Sequence, residues 1–480
     1  MDKSHEIFEK EIREQVMIAV EDANAIIFMT DVTTGITTLD EAMTDILRVS
    51  KKPVFLAVNK VDNNARQLDA TEFYALGFEH THFLSSMSGS GTGELLDDIA
   101  SLIDADVEVP DENLPRIAII GAGIAGASLA AQLSAYQSVV LIEAEAHPGY
   151  HSTGRSAAFW VECYGGPDVQ PLTTASGPFL ANPPKDFHDG PLMSPRGGLH
   201  IGTAEQQPLA DDMLAEFASS GVHIERSDRK DLERHVPGLR SGWTTGLWEA
   251  ACADIDVAAL HAAYLRQARK QGVQPHCNSR LERAVWREGM WHITAGSLNC
   301  TADIIVNAAG AWADNVAKMA GVRPLGIQPY RRTIAQLAVS PDVPAALPLV
   351  IGLDGSFYFK PDAGGRLWLS PHDETATPAC DAAPEEYDIA LAIDRLQQVV
   401  DWDIHRVERK WAGLRSFAPD RLPVIGRDAA HDAFFWFAGQ GGFGIQTAPA
   451  AAQLAGSLLN DAIIAPDRVH AALYAPGRFN

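Results

Sequence analysis

Basic residues are scarce in this chain. It holds 38 Lys and Arg against 62 Asp and Glu in 480 residues, a formal charge of −24. A surface so acidic is repelled by phosphate backbones and anionic lipid, which excludes nucleic acid as a general partner. Cysteine is scarce too. Cys163, Cys252, Cys277, Cys300 and Cys380 lie far apart, with no CxxC pair and no Cys/His ligand spacing. Neither a disulfide framework nor a metal site is expected from them. No apolar run reaches the roughly 18 residues that span a bilayer. The best stretch, near 434–459, is interrupted by glutamine and four closely placed glycines, 439, 441, 442 and 444. The opening MDKSHEIFEK has no apolar signal core. A cytoplasmic protein without a membrane span is the expectation. Also missing is GxxxxGK[ST], the loop that cradles nucleotide phosphates and holds magnesium.

What is present is ordinary globular material, 46% hydrophobic and 21% charged. Its length suggests two to four domains. Residues 25–32 (AIIFMTDV) and 53–62 (PVFLAVNKVD) read as buried strands, and 81–86 as a weaker third. Helical spacing lies between and after them, at 38–48 and 95–103, so a parallel sheet is predicted. The acidic, proline-bearing stretch 107–115 reads as a linker.

A second unit opens at Arg116 with RIAIIGAGIAGASLAAQLSAYQSVVLIEAE. A short β-branched strand runs into Gly121-Ala122-Gly123-Ile124-Ala125-Gly126, a small-residue helix follows, and a second strand ends at Glu143. This is the order of a dinucleotide-binding βαβ unit. Gly121 permits the turn, Gly123 admits a pyrophosphate, Gly126 lets the helix pack closely, and the helix N-terminus faces the phosphates. Glu143 stands where a carboxylate accepts from ribose hydroxyls. The next loop, His151-Ser152-Thr153-Gly154-Arg155-Ser156-Ala157-Ala158, is dense in hydroxyls and backbone N–H donors. It suits the pyrophosphate and ribityl chain of FAD.

With that loop, the chain from about 116 to 460 resembles the D-amino-acid-oxidase-like FAD-dependent oxidoreductases, nearest to the bacterial D-arginine dehydrogenase branch. The shared stretches are GAGIAGAS, PGYHSTGRSAA, YG at 164–165, ADID at 253–256, NAAGAW at 307–312, GVRPLG at 321–326, SFYFKPDAG at 356–364, WAGLRSF at 411–417 and QGGFGIQT at 440–447. The resemblance implies an α/β fold: a Rossmann-type FAD domain from 116–195, 252–325 and 411–470, and an antiparallel substrate cap from 196–251 and 326–410. It implies non-covalent FAD, held by the glycine turn with Ala125, by Glu143, by 151–158, by Gly310, and by Gly441-Gly442-Phe443-Gly444-Ile445-Gln446. The helix after Gln446 would aim its positive end at the flavin pyrimidine. It implies oxidation of a D-amino acid at Cα by hydride transfer, yielding an imino acid that hydrolyses to 2-oxo acid and ammonia. Quinone or oxygen would be the electron acceptor.

Such chemistry needs an anchored carboxylate, a neutral amine and stabilisation of charge on reduced flavin. By resemblance Arg415 is the carboxylate clamp, and Arg332 a second one unless adjacent Arg331 turns inward. Tyr164, Tyr358 and Gly442 are the remaining substrate contacts. No residue has to be a general base. Two positions depart from the D-arginine branch. Gly198 stands where that branch has a glutamate for the guanidinium, and Phe159 replaces an imidazole. Lacking the carboxylate, a cationic substrate forgoes about 1.5–3 kcal/mol. Neutral D-amino acids are therefore expected, with Glu162 as the acid that could substitute. The same fold also leaves open glycine or sarcosine as substrate.

The first hundred residues carry Asn59-Lys60-Val61-Asp62 and Ser85-Ser86-Met87-Ser88-Gly89 at strand ends. With TDVTTGIT and GTGELLDDI they resemble the first G domain of the Der double GTPases. There the Asp of NKxD reads guanine and the Asn supports the loop. The phosphate loop and the DxxG element are absent, so residues 1–106 are expected to be a truncated G-domain fragment. A GTPase-derived binding module with a non-catalytic fusion is the competing reading.

Overall fold

A computed structural model describes residues 20, 23, 25–50, 52–87, 89–100 and 116–479. The chain divides into two compact units, 1–109 and 110–480. The expected linker at 107–115 and the end of the helix expected at 95–103 lie outside the described residues.

In the first unit, Ile26–Asp31, Val54–Asn59 and His80–Phe83 form a parallel sheet with Val54–Asn59 in the centre. That central strand is buried along Val54–Val58, which is why it reads as an unbroken apolar run. Helix Thr38–Val49 begins at a capping box, Thr37 accepting from the Asp40 N–H and Asp40 from the Thr37 N–H. Asn59 Oδ1 accepts from the N–H groups of Lys60 (2.7 Å) and Ser86 (2.9 Å), tying two strand-end loops together. Asp62 is engaged by Arg66 at 2.7 Å.

The second unit is built on two large sheets. One has six strands in the order Pro275–His276, Ser138–Ile142, Arg116–Ile120, Ile304–Asn307, Phe434–Ala438, Val424–Arg427. All are parallel except the last. Helix Ile124–Leu133 leaves the end of Arg116–Ile120. Its glycine, alanines and leucines are buried nearly all round, and it packs on helices Val257–Lys270 and Ala448–Leu459. The strand Phe434–Ala438 is buried at every residue, four of its five being aromatic.

The other sheet is mostly antiparallel. It runs from Gln440–Gly441 through Asp403–Phe417, Gln328–Ser340, Arg366–Ser370, Tyr358–Asp362, Leu349–Gly352 and Gly198–Thr203 to Trp243–Glu249 and Glu225–Ser227, with Thr375–Ala376 beside Gln328–Ser340. Asp403–Phe417 is one continuous strand, so the domain boundary expected at 411 falls inside it. That strand and its partner deliver the key side chains. Pairing of Tyr330 with Arg415 and of Arg332 with Gly413 puts Arg332 and Arg415 on one face, diagonal neighbours. Alternation turns Arg331 to the other face.

Candidate active site

The glycine turn closes tightly. Gly121 has φ +104, and a Cβ there would meet Ala308 O at 2.6 Å. A Cβ on Gly126 would come to 1.8 Å from Gly121 O, so the helix sits directly on the turn. The loop behind it is locked to both. Thr153 Oγ1 accepts from Ile124 N–H (2.9 Å), and Glu143 accepts from the N–H groups of Ala122 (2.8 Å) and Glu145 (3.0 Å).

A cleft of about 1290 Å³, partly open to solvent, runs over this turn. Among the residues expected at the cofactor, Gly121, Gly123, Ala125, Glu143, His151, Ser152, Thr153, Ser156, Gly310, Gly441, Gly442, Gly444 and Ile445 line it. The others stand behind the wall. Gly126 packs on the turn. Gly154 donates its N–H to Gly149 O. Arg155 reaches away to Ala382 O (2.9 Å), Ala412 O (3.2 Å) and Asp381. Ala157 and Ala158 are buried. Phe443 packs with Val169 and Phe417. Gln446 binds Val161, Tyr164 O and Thr173, holding the 161–164 loop to the helix Gln170–Ala181.

The lining fits a dinucleotide. The helix N-terminus, Gly123 to Ala125, lines the cleft, and so does Glu143. His151 Nε2 lies 3.1 Å from Glu145 Oε1, while its buried Nδ1 has no partner among the described residues. An orphaned polar atom at the wall of a cleft calls for a ligand.

Arg415, 7% exposed, lines the cleft. Its one hydrogen bond among the described residues is Nη1 to Leu414 O at 3.4 Å, and no ion pair holds it there. Burial, aided by the nearby Arg332 charge, pulls its pKa down against the pull of Tyr358. A buried, unpaired guanidinium is a costly arrangement that a carboxylate relieves. Arg332, 2% exposed, is already tied down, Nε donating to Asp373 O (2.8 Å) and Nη2 to Glu374 Oε1 (3.0 Å). Burial works against its charge, but Tyr164, Tyr358 and Glu374 outweigh it and its pKa is raised. Arg331 pairs instead with Asp388 (2.9 Å) and Glu385 on the opposite face. The inward arginine is therefore Arg332.

Tyr164 and Tyr358 do not line the cleft proper. They form the wall behind it with Arg332. Tyr164 lies near the Arg332 charge, and a Cβ on Gly442 would meet its hydroxyl at 2.1 Å. Tyr358 packs edge-on against Phe159, ring centres 6.1 Å apart. Lys360 covers Phe159 at 4.5 Å and pairs with Asp254 at 3.0 Å.

Sequence reasoning missed His372. Its ring lies 5.6 Å from that of Tyr358 and 6.3 Å from that of Tyr164. Nδ1 faces Gly355 O, so Nδ1 carries the proton. Burial, with the charges of Arg332, Arg415 and Arg421, lowers its pKa to about 3. It is a neutral imidazole among arginines. The one local signal is the rest of SPHDET, whose Asp373 and Glu374 orient Arg332.

Gly198 is filled from across the sheet. A Cβ there would meet Cys252 Cβ at 3.1 Å. Glu162 accepts from Thr174, and burial raises its pKa.

A parallel dinucleotide sheet, whose cleft is lined by a buried guanidinium from an antiparallel sheet, is the arrangement of a flavoenzyme-type oxidoreductase. Residues 116–458 match the DAO family of FAD dependent oxidoreductases, and the chain belongs to that family. Solved structures with the same fold include L-proline dehydrogenase from P. horikoshii, with TM-score 0.67 and 20% identity over 76% of this chain and 98% of that one. Glycine oxidase from Geobacillus kaustophilus gives TM-score 0.66 and 18% identity, over 75% and 98% of the two chains. The N-terminal segment is similar to GTPase Der of Phocaeicola vulgatus, 47% identical over 126 residues, 26% of this chain. The chain spans only 29% of that relative's length.

Proposed function

We propose that this enzyme oxidises neutral D-amino acids at Cα, with FAD held non-covalently and oxygen or a quinone as the final acceptor. Arg415, a cleft-lining buried guanidinium without a carboxylate, carries this reading. FAD, when bound, supplies the hydride acceptor.

The chain supplies position and charge. Arg415 offers a fork to the substrate carboxylate, and Arg332, braced by Asp373 and Glu374, adds a second positive group. Tyr164 and Gly442 bound the same space. Neutral His372 adds no charge against the substrate amine, which reacts as the free base. Phe159 and Tyr358 offer an apolar side to the substrate side chain, and the Lys360 ammonium beside Phe159 opposes a cationic one. Gly198 contributes no acid.

The fold relatives named for glycine and L-proline favour a second reading, oxidation of glycine or a secondary amine such as sarcosine. For residues 1–106 we propose a G-domain-derived unit, on the strength of the Asn59-Lys60-Val61-Asp62 stretch at the end of its central strand.

Anaerobic bleaching of the bound flavin by a panel of D- and L-amino acids, glycine and sarcosine tests these readings. Fastest reduction by D-Phe or D-Met is expected. Fastest reduction by sarcosine would favour the second reading, and by D-Arg would place an acid, Glu162 first, at the substrate side chain. Protein that folds but cannot be loaded with FAD overturns both.

A further inference from the structure

Beneath the loop that carries Tyr164 lies a polar cluster that amino-acid oxidation does not use. Cys163 Sγ, His200 Nε2 and Glu249 Oε2 converge there, with separations of 3.5 Å (Cys163–His200), 2.9 Å (Cys163–Glu249) and 3.7 Å (His200–Glu249). They come from three places in the sequence. His200 is on strand Gly198–Thr203, Glu249 ends strand Trp243–Glu249, and Cys163 sits in the turn after Phe159–Trp160. The register pairs Leu247 with His200 and Glu249 with Gly198, so His200 and Glu249 point from one face as diagonal neighbours. Gly198 leaves room between them. A Cβ there would meet Cys252 Sγ at 3.4 Å and Glu249 Cβ at 3.8 Å, so the Cys252 thiol lies over the same glycine.

The setting is dry. Cys163 is 8% exposed, His200 6%, and Glu249 and Cys252 0%, packed among Val161, Phe217 and Leu349. Glu249 accepts from the Cys163 thiol (2.9 Å) and the Glu162 N–H (2.7 Å). No lysine or arginine pairs with it among the described residues, and His200 is the one basic group in ion-pair range there. A fully buried carboxylate needs a cationic partner or a proton.

The spacing matches a tetrahedron. Zinc–ligand bonds of about 2.3 Å to sulfur and 2.0–2.2 Å to nitrogen and oxygen give ligand–ligand edges of about 3.3–3.6 Å. Two of the three observed edges, 3.5 and 3.7 Å, already lie within a few tenths of that range. The third is drawn in by the thiol–carboxylate hydrogen bond.

We propose that Cys163, His200 and Glu249 bind one divalent cation of the zinc type. The thiolate, imidazole and carboxylate set suits Zn²⁺ and not the oxygen-seeking Mg²⁺ or Ca²⁺. Binding displaces the Cys163 thiol proton to solvent, and the thiolate and carboxylate then balance the two positive charges. A filled site fixes Cys163 and so the adjacent Tyr164, whose carbonyl is held from the other side by Gln446 Nε2 at 3.3 Å.

The test uses full-length protein produced in zinc-depleted, Co²⁺-supplemented medium, so that the site fills as the chain folds. About one Co²⁺ per chain is expected, with tetrahedral d–d absorption to the red of the flavin bands. X-ray absorption should find a first shell with sulfur at about 2.3 Å and nitrogen or oxygen near 2.0 Å. Metal and bands should be lost in Cys163→Ser, His200→Gln and the isosteric Glu249→Gln. Wild type that folds with less than a tenth of an equivalent of metal, or whose shell lacks sulfur, overturns the proposal even if no variant folds. Metal retained in all three variants overturns it too. None of these readouts depends on turnover.

Discussion

Arg331 and Arg332 are chemically alike and adjacent, yet they have opposite surroundings. Strand alternation sends Arg331 to Asp388 and Glu385, and Arg332 toward Tyr164, Tyr358 and Arg415. Arg415 differs from both in having no carboxylate among the described residues. Replacing it with Met keeps most of the length and removes the fork. Truncating one partner of a buried charged pair costs about 2–5 kcal/mol, so kcat/KM should fall on the order of 30- to 5,000-fold. The flavin spectrum should hardly change, and an unchanged rate of anaerobic flavin reduction would remove Arg415 from the site. His372 makes a pH prediction. Its pKa is about 3 in the fold and roughly 6.5 in an unfolded chain. Between those values the unfolded chain binds the extra proton, so stability rises with pH there. The contribution is complete above about 6.5 and drains away as pH falls toward 3. His372→Asn tolerates the left-handed backbone at this position, φ +52. Its melting temperature should fall less steeply than that of wild type between about pH 6.5 and 4. Parallel curves would show that His372 is not the group responsible.

Among the elements, the glycine turn and helix Ile124–Leu133 depend most on one atom's absence. A methyl on Gly126 would sit 1.8 Å from Gly121 O, which is backbone and cannot swing aside. Gly126→Ala should push the helix from the turn and weaken FAD binding by at least about tenfold, roughly 1.4 kcal/mol. Flavin retained after gel filtration measures this, and full retention would mean that the turn yields. The motif was legible in sequence because its requirements are local: a β-branched run, three glycines, small residues, then an acid. The central strand of the first unit was legible for a similar reason, being apolar along Val54–Val58. The wall of Arg332, Tyr164, Tyr358 and His372 was legible only in part. It is assembled from two strands and two loops that lie far apart in the chain. Local pattern did not show where the Phe443 and Gln446 side chains point. Both lie in a glycine-rich segment that does meet the cleft, but their side chains turn into the protein.

At the scale of the molecule, every residue assigned to amino-acid oxidation lies beyond Arg116, in the second of two compact units. Deleting 1–110 should leave FAD content and turnover within about twofold of the full chain, because the dinucleotide core closes on itself. A truncated protein that folds and holds FAD but no longer turns over would assign the N-terminal unit a role in catalysis. The sequence by itself determined the dinucleotide unit, the order of the motifs, the lack of a phosphate loop and the scarcity of basic charge. These are properties of neighbours along the chain, where turn geometry and residue size act directly. Only the tertiary structure decided which arginine faces inward and that a neutral histidine stands beside it. It also decided which loop residues reach the cleft, and that Cys163, His200 and Glu249 meet. Those outcomes depend on sheet register and on which face each strand presents, and both are set by burial of apolar surface over the whole domain.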